Sequence, residues 1–573
     1  MKKSKSLLLL LTLVLAVGTL LAACGSNGGN NGAANNGAAN GGNTASDNGN
    51  SGEEKLAADQ TLRINLSAEP PTFDPAQAQD SQANTVLKLM YEGLTRMDEG
   101  GQVIPAAAES WKIDGTKYTF NLRKDAKWSN GDPVTANDFV FAWERVLSPN
   151  TDPTAPYAYQ LFYLKNAEDY YNGKIKDFSQ VGVKAVDDYT LEVELGSPTP
   201  YFLGLTSFYT LYPVHQSVKD DPKWAVDQSK MIVNGAFTLT NWIKGQTIEV
   251  TKNENYWDKA NIKLSKITMS LVNSSATELA SYQNGELDRA GHPNGEIPTD
   301  QIPILKDQLK DELQIKGIAS TYYYEFNVTA KPFDNVNIRR AFAMAIDRQA
   351  IVDNVTLGGQ VPAFGFVPPG IKGANDGDEF RTVHKDDYFT ENLEEAKKLL
   401  EQGMQEEGYT KLPEITLIYN SSDAHKKIAL AVADMWKKNL GVDVKSENQE
   451  WAVFIENRQN LNYQVARAGW TADYNDPMTF MDMWVTGGGN NDTGFSNEEY
   501  DNLIKEAKSS DDMAKRDANF AKAEEILIKD NQVLMPLYYY TNVAATKPYL
   551  KGVSLDFSGA IDYSRAYITD ERK

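Results

Sequence analysis

Few side chains in this chain could carry covalent or metal chemistry. Its four histidines, His215, His292, His384 and His425, lie far apart, and the single cysteine, Cys24, is remote from all of them. None falls in a His-x-x-x-His or Cys/His spacing that would bind a transition metal. There is no phosphate-cradling P-loop, no dinucleotide fingerprint and no nucleophile elbow, and Gly487-Gly488-Gly489 leads into polar residues rather than a helix start. Paired carboxylates such as Asp187-Asp188 and Asp511-Asp512 are expected by chance among 78 acidic residues, and read as solvated faces. No cofactor is implied. What remains are isolated charges in unusual settings. Arg467 sits near the end of a segment otherwise apolar on both faces, and an arginine there needs an anion, internal or bound. Asp473, six residues on, precedes Asn475-Asp476-Pro477, where a turn or helix-cap aspartate is the plainest reading.

These residues must be positioned by an α/β frame. Ile415, Leu417 and Tyr419 alternate as a strand; Ile428, Ala431, Val432, Met435 and Trp436 recur at helical spacing; Gly441 stops the helix and Val442 to Val444 opens another strand. Strand, helix, strand within about thirty residues is a βαβ unit with parallel strands. A helix from Trp451 to about Gln459 and a strand from Tyr463 to Trp470 follow. Ligands of such sheets bind beyond the carboxyl ends of the strands, which points to the loops 420–425 and 471–477. Upstream, Asn392 can cap a helix with a stripe of Leu393, Ala396, Leu399 and Leu400, ended by Gly403. Strand-like alternation marks 62–66, 118–122 and 190–195.

The ends and the composition bear on location. Lys2, Lys3 and Lys5 precede an apolar run from Leu7 to Val17, a secretory leader too short for a stable span. Leu21-Ala22-Ala23-Cys24 closely resembles a bacterial lipobox, which implies cleavage before Cys24 and a lipid on its sulfur. From Gly25 to Gly52 the chain is nearly all Gly, Asn, Ala and Ser, a flexible tether with a reach of roughly 30 Å. A formal charge of −21 argues against a nucleic-acid partner.

The stretch Trp128-Ser129-Asn130-Gly131-Asp132-Pro133-Val134-Thr135-Ala136-Asn137-Asp138-Phe139, with Leu122 to Lys127 before it, resembles the signature of the peptide/nickel-binding extracellular solute-binding proteins, family 5. Likeness to the oligopeptide-binding lipoproteins of ABC importers extends from about Thr61 to Tyr567. It is densest in Asn448-Gln449-Glu450-Trp451 and in Val465-Ala466-Arg467-Ala468-Gly469-Trp470-Thr471-Ala472-Asp473-Tyr474-Asn475. The resemblance implies a three-lobed, periplasmic-binding-protein-like α/β fold of cluster C. Its expected parts are a leader (1–23), a lipidated tether (24–56), lobe I (57–86, 211–322 and 541–573), lobe II (87–210) and lobe III (323–540).

In that family the aspartate matching Asp473 holds the α-ammonium of a peptide laid out as an added strand. The position matching Arg467 holds the C-terminal carboxylate of a short peptide, and Arg458 and His425 match positions used for other lengths. Asn420, Gly469, Trp451 and Trp470 match pocket walls. Glu69, in Ser67-Ala68-Glu69-Pro70-Pro71, matches the edge that lobe I offers, and Tyr157 the N-terminal end, with Tyr159 an alternative register. Arg339, Asp347 and Arg348 read as structural. The expected function is capture of short peptides for an ABC permease by a monomer lipid-anchored on the outer face of a Gram-positive cell membrane. A receptor for signalling peptides, murein peptides or metal chelates, a secreted peptide hydrolase and a cell-wall scaffold are the alternatives.

Overall fold

The computed structural model of the protein describes residues 55–98, 102–151, 153–221, 223–375 and 377–572. The leader, Cys24 and the tether up to residue 54 lie outside these residues; Lys55 and Leu56, expected in the tether, instead pair with Asp570 and Thr569.

Three sheets organise the chain. Thr61–Asn65 pairs in parallel with Lys266–Ser270, and Thr247–Lys252 and Phe237–Ile243 extend that sheet antiparallel. A second, wholly antiparallel sheet runs in the order Ala108–Asp114, Lys117–Leu122, Thr190–Glu194, Val183–Asp187. Its alternation sends Tyr118, Phe120, Leu122, Leu191 and Val193 inward, as period-2 patterning requires. The third sheet has seven strands. Arg289–Gly291, Leu534–Thr546, Leu313–Phe326, Val465–Thr471, Ile415–Asn420 and Val444–Gln449 follow in order, and Val361–Pro362 pairs with Leu534–Thr546. Leu313–Phe326 and Leu534–Thr546 run unbroken through positions 322/323 and 540/541.

The βαβ unit forms as its pattern predicts. Ile415–Asn420 and Val444–Gln449 are parallel, joined by the helix Asp423–Leu440. Gly441 ends that helix in the left-handed region at φ 71°, where an added Cβ would be strained. Ile428, Ala429, Val432 and Trp436 are the buried stripe, while Ala431 and Met435 are half-buried. The Trp436 indole donates to Phe342 O at 2.9 Å, tying the crossover helix to Val336–Met344.

One expected boundary is corrected. Asn392 does cap its helix, accepting from Glu395 N, but the helix runs Leu393–Glu406, past Gly403. Gly403 is buried where this helix crosses Val336–Met344, and a Cβ there would stand 2.7 Å from Ile338 Cγ1 and 2.9 Å from Asn335 Oδ1. The glycine permits close approach of two helices instead of stopping one. Leu393, expected in the buried stripe, is exposed.

The stretch around Trp128 serves the fold. Thr135 caps the helix Ala136–Leu147, and buried Asp138 Oδ2 accepts from Thr135 N at 2.8 Å and from the buried Trp128 indole at 3.2 Å. A single carboxylate thereby fastens the turn to the helix start.

Candidate functional site

A cavity of about 650 Å³ opens at the carboxyl ends of Ile415–Asn420 and Val465–Thr471, where the strand-end rule places a ligand. Its opposite wall comes from Ser67–Glu69, the start of the helix Ser81–Met90, the turn 292–296 and the segment 556–560. Val465–Thr471 pairs along its full length with Ser320–Phe326 on one side. On the other side it meets Ile415–Asn420 only through Val465 and Ala466. From Arg467 to Thr471 that second edge carries no ladder, and Gly469 and Thr471 are exposed along it. It is a strand edge available for backbone pairing. A Cβ at Gly469 would lie 3.1 Å from Tyr540 Oη and 3.2 Å from Arg467 Nη2, so the glycine keeps this wall shallow.

Asp473 stands at the far end of the edge. Its Oδ2 accepts from Gln160 Nε2 at 3.0 Å and from Thr479 Oγ1 at 3.4 Å, while its own N–H donates to Thr479 Oγ1 at 3.1 Å. Among the described residues no cation pairs with it. Burial, with Asp482 nearby, holds its carboxyl well above the usual carboxylate range. Tyr157 lines the cavity, its ring 6.0 Å from that of Trp470, whereas Tyr159 lies behind the wall and accepts from Asn490 Nδ2 at 3.2 Å. Trp470 is anchored by its indole N–H on Thr479 O at 2.7 Å.

At the near end, Arg467 donates from Nη1 to Asn420 Oδ1 at 3.3 Å and from Nη2 to Tyr540 Oη at 2.5 Å. Its Nε has no partner, and its guanidinium carbon lies 4.9 Å from the Tyr322 ring centroid. Both hydrogen-bond partners are neutral, and no carboxylate lies within 4 Å among the described residues.

Arg458 and His425 are placed differently. Arg458 faces the cavity, but Glu325 grips it bidentately at 2.6 and 3.1 Å, and Asp492 adds a contact at 3.2 Å. His425 is buried in the first turn of Asp423–Leu440, its N–H on the capping Ser422 Oγ and its Nδ1 3.4 Å from Tyr322 Oη. Burial and the Arg467 charge push its pKa well below the usual histidine value, so the ring is neutral at pH 7. Trp451 opens the helix Trp451–Gln459 and packs on Phe454, its indole N–H buried without a partner. Glu69 accepts from Gly245 N at 2.6 Å and pairs with Lys244 Nζ at 3.3 Å.

Arg339 and Arg348, read as structural, are buried on backbone carbonyls, and Asp347 caps the helix Arg348–Ile351. Sequence reasoning missed Gln160, Thr479, Tyr540, Glu296, Glu325 and Asp492. None lies in a distinctive pattern; the fold brings Tyr540, Glu296 and Asp492 into the cavity lining, and sets Gln160 and Thr479 against Asp473 and Glu325 against Arg458.

The comparisons with known proteins agree with this geometry. The model of bacterial extracellular solute-binding proteins, family 5 (middle part), matches residues 102–492. The chain belongs to that family. This family 5 solute-binding protein is 43% identical to the oligopeptide-binding protein OppA of Bacillus subtilis over 99% of its own length and all of the relative's. Its structure resembles that of Haemophilus influenzae OppA in complex with RPPGFSPFR, with a TM-score of 0.82 at 38% identity, covering 90% of this chain and 100% of the other. Against Escherichia coli MppA, a murein tripeptide binding protein, the TM-score is 0.84 at 33% identity, covering 90% and 99% of the two chains. Against the unliganded open form of MppA it falls to 0.59 at 33% identity, covering 91% and 99%. The solute-binding protein is an α/β, multi-lobed fold.

Proposed function

We propose that this protein captures short peptides outside the cytoplasmic membrane and presents them, enclosed, to the permease of an ABC importer. One observation carries the reading. Among the described residues, Asp473, with no cation within 4 Å, and Arg467, with no carboxylate within 4 Å, stand at opposite ends of one open strand edge inside the cavity. A zwitterionic chain with its amide backbone extended along that edge complements all three features. Buried charges left unpaired are costly, and a ligand that pairs both offsets that cost. Backbone pairing gives affinity with little regard to side chains. The names of the relatives, oligopeptide-binding and murein tripeptide-binding proteins, support the same ligand class.

In this reading the protein is a receptor and not a catalyst, and acts as a monomer. Segments 57–86, 211–322 and 541–573 act as lobe I, 87–210 as lobe II and 323–540 as lobe III, with closure between lobes I and III. Cys24 carries the lipid that holds the mature chain at the membrane, with 25–52 as its tether.

The test is calorimetry with a defined mixture of short peptides, followed by mass spectrometry of the eluted ligand. Binding with intact recovery supports the receptor. Recovery of cleavage products makes it a hydrolase, and absence of binding overturns the reading. Radiolabelled palmitate should enter the wild type and not Cys24→Ser; labelling of both would remove the anchor.

A further inference from the structure

Leu313–Phe326 and Leu534–Thr546 pair in two blocks. Leu313 to Gly317 lie against Thr541 to Ala545, Thr321 to Glu325 lie against Leu534 to Tyr539, and the register shifts between Gly317 and Thr321. A ladder interrupted in this way bends more readily than a continuous one. On the first block sits Arg289–Gly291, paired through Ala544 to Thr546, with the helix Ser275–Gln283 packed beside it through Leu279 and Tyr282. On the second sits Val465–Thr471, which carries Ile415–Asn420 and the helix Asp423–Leu440.

Two carboxylates cross between the blocks. Glu296, in the turn after Arg289–Gly291, accepts from Ser422 Oγ and from Ala424 N at 3.4 Å, so it sits on the N-terminus of Asp423–Leu440. In return Asp423, the first residue of that helix, accepts through Oδ2 from Ser275 Oγ at 2.9 Å and Ser275 N at 3.2 Å, at the start of Ser275–Gln283. Each helix start thus receives a carboxylate from the other block, where free N–H groups and the helix dipole favour one. Lys427 adds an exposed pair with Asp300 at 2.6 Å. The turn bearing Glu296 is itself fixed. Buried Glu278 accepts from Gly291 N at 2.7 Å, Glu296 N at 3.0 Å and Asn65 Nδ2 at 2.9 Å, and a Cβ at Gly295 would stand 2.0 Å from Glu278 Oε1.

We propose that Glu296 and Asp423 form a reciprocal clasp across the interrupted ladder, which holds the cleft shut at its Asn420 end and sets how long a bound peptide stays. The retention half rests on the peptide-receptor reading, and the clasp itself does not. Every bond of the clasp joins two groups of the protein, so it favours the closed arrangement for any occupant and reads nothing of its sequence. Opening the cleft separates both carboxylates from their helix starts together, which makes the two contacts break as one. Glu278 acts at one remove, as the residue that positions Glu296. Glu296 and Ser422 line the cavity, whereas Asp423 and Ser275 stand outside its lining, so the clasp can be loosened without touching a cavity wall.

The experiment makes two measurements on the purified full chain, as wild type, Asp423→Ala and Glu296→Ala. Small-angle X-ray scattering without peptide reads the opening of the cleft, and rapid filtration of tritiated trialanine chased with unlabelled trialanine reads release. Without peptide both variants should show a larger radius of gyration than wild type, and with saturating trialanine the same one. Release should quicken about tenfold in each, as loss of a hydrogen bond to a charged group implies. A radius of gyration equal to that of wild type in both variants overturns the clasp. A larger radius with unchanged release overturns its role in retention. If the wild type binds no trialanine, the receptor reading and the retention half fall, and scattering alone decides the clasp. Asp423 is exposed, so its variant should fold and decides the matter if Glu296→Ala does not.

Discussion

The amide nitrogen of Gln160 stands 3.0 Å from Oδ2 of Asp473, joining two residues 313 positions apart. Gln160 is fully buried, so its donor is fixed in direction, and it steadies the carboxylate without neutralising it. Lys or Arg at this place would have closed the site with an internal ion pair; a neutral amide leaves the charge for something else.

Replacing Gln160 by leucine, similar in size, removes that donor. A hydrogen bond to a charged group contributes about 1.5–3 kcal/mol, so peptide affinity should fall by about ten- to a hundredfold. Titration of one tripeptide against Gln160→Leu checks this, and an unchanged affinity would show that Thr479 alone holds the carboxylate.

Asp473→Asn should separate binding from stability. Breaking a buried charge pair costs about 3–5 kcal/mol, so affinity for free peptides should collapse to that of their N-acetylated forms. The folded carboxyl is held above its unfolded pKa, so its ionised form destabilises the empty protein increasingly as pH rises from the unfolded toward the folded value. The Asn variant should therefore melt higher than wild type at pH 8, with the gap narrowing near pH 4. Scanning calorimetry at both pH values measures it.

Peptide capture should release protons. In the proposed complex an ammonium pairs with the ionised Asp473, so binding lowers a pKa that burial and Asp482 had raised. Asp482, itself pushed up to about 7 by burial, and Tyr157, Tyr159 and Tyr209 are the titratable groups around it. Affinity should drop as pH falls below the raised value, and fall again above about 8 as the peptide's own amine deprotonates. Calorimetry in phosphate and in Tris should give different apparent enthalpies for wild type. Equal enthalpies would mean that Asp473 is ionised before the ligand arrives.

Gly403→Ala tests the corrected helix. Alanine improves helix propensity by up to about 1 kcal/mol, but here the methyl would press on Ile338 and Asn335. Overpacking costs about 1–3 kcal/mol, so the melting temperature should fall with little change in peptide affinity. A rise in melting temperature would mean that the two helices separate freely.

The local frame was legible because it rests on short-range rules. The alternation of Ile415, Leu417 and Tyr419, the helical recurrence of Ile428, Val432 and Trp436 and the left-handed Gly441 suffice for the βαβ unit. The strand-end rule then reached the loops that carry Asn420 and Asp473. Gly403 misled because a glycine's smallness serves a helix crossing as readily as a helix end, and only the neighbouring helix tells which. For the ligand, the resemblance singled out five acidic or basic positions, Asp473, Arg467, Arg458, His425 and Glu69, besides Tyr157.

Which of them keeps an available charge was decided by tertiary structure alone. Arg467 and Arg458 are the same residue type nine positions apart, yet one meets Asn420 and Tyr540 while the other meets Glu325 and Asp492. Compensation acts over a few ångströms through space, between strands and loops brought together from distant parts of the chain. A linear pattern specifies which charges exist; the packed fold specifies which of them remain unpaired.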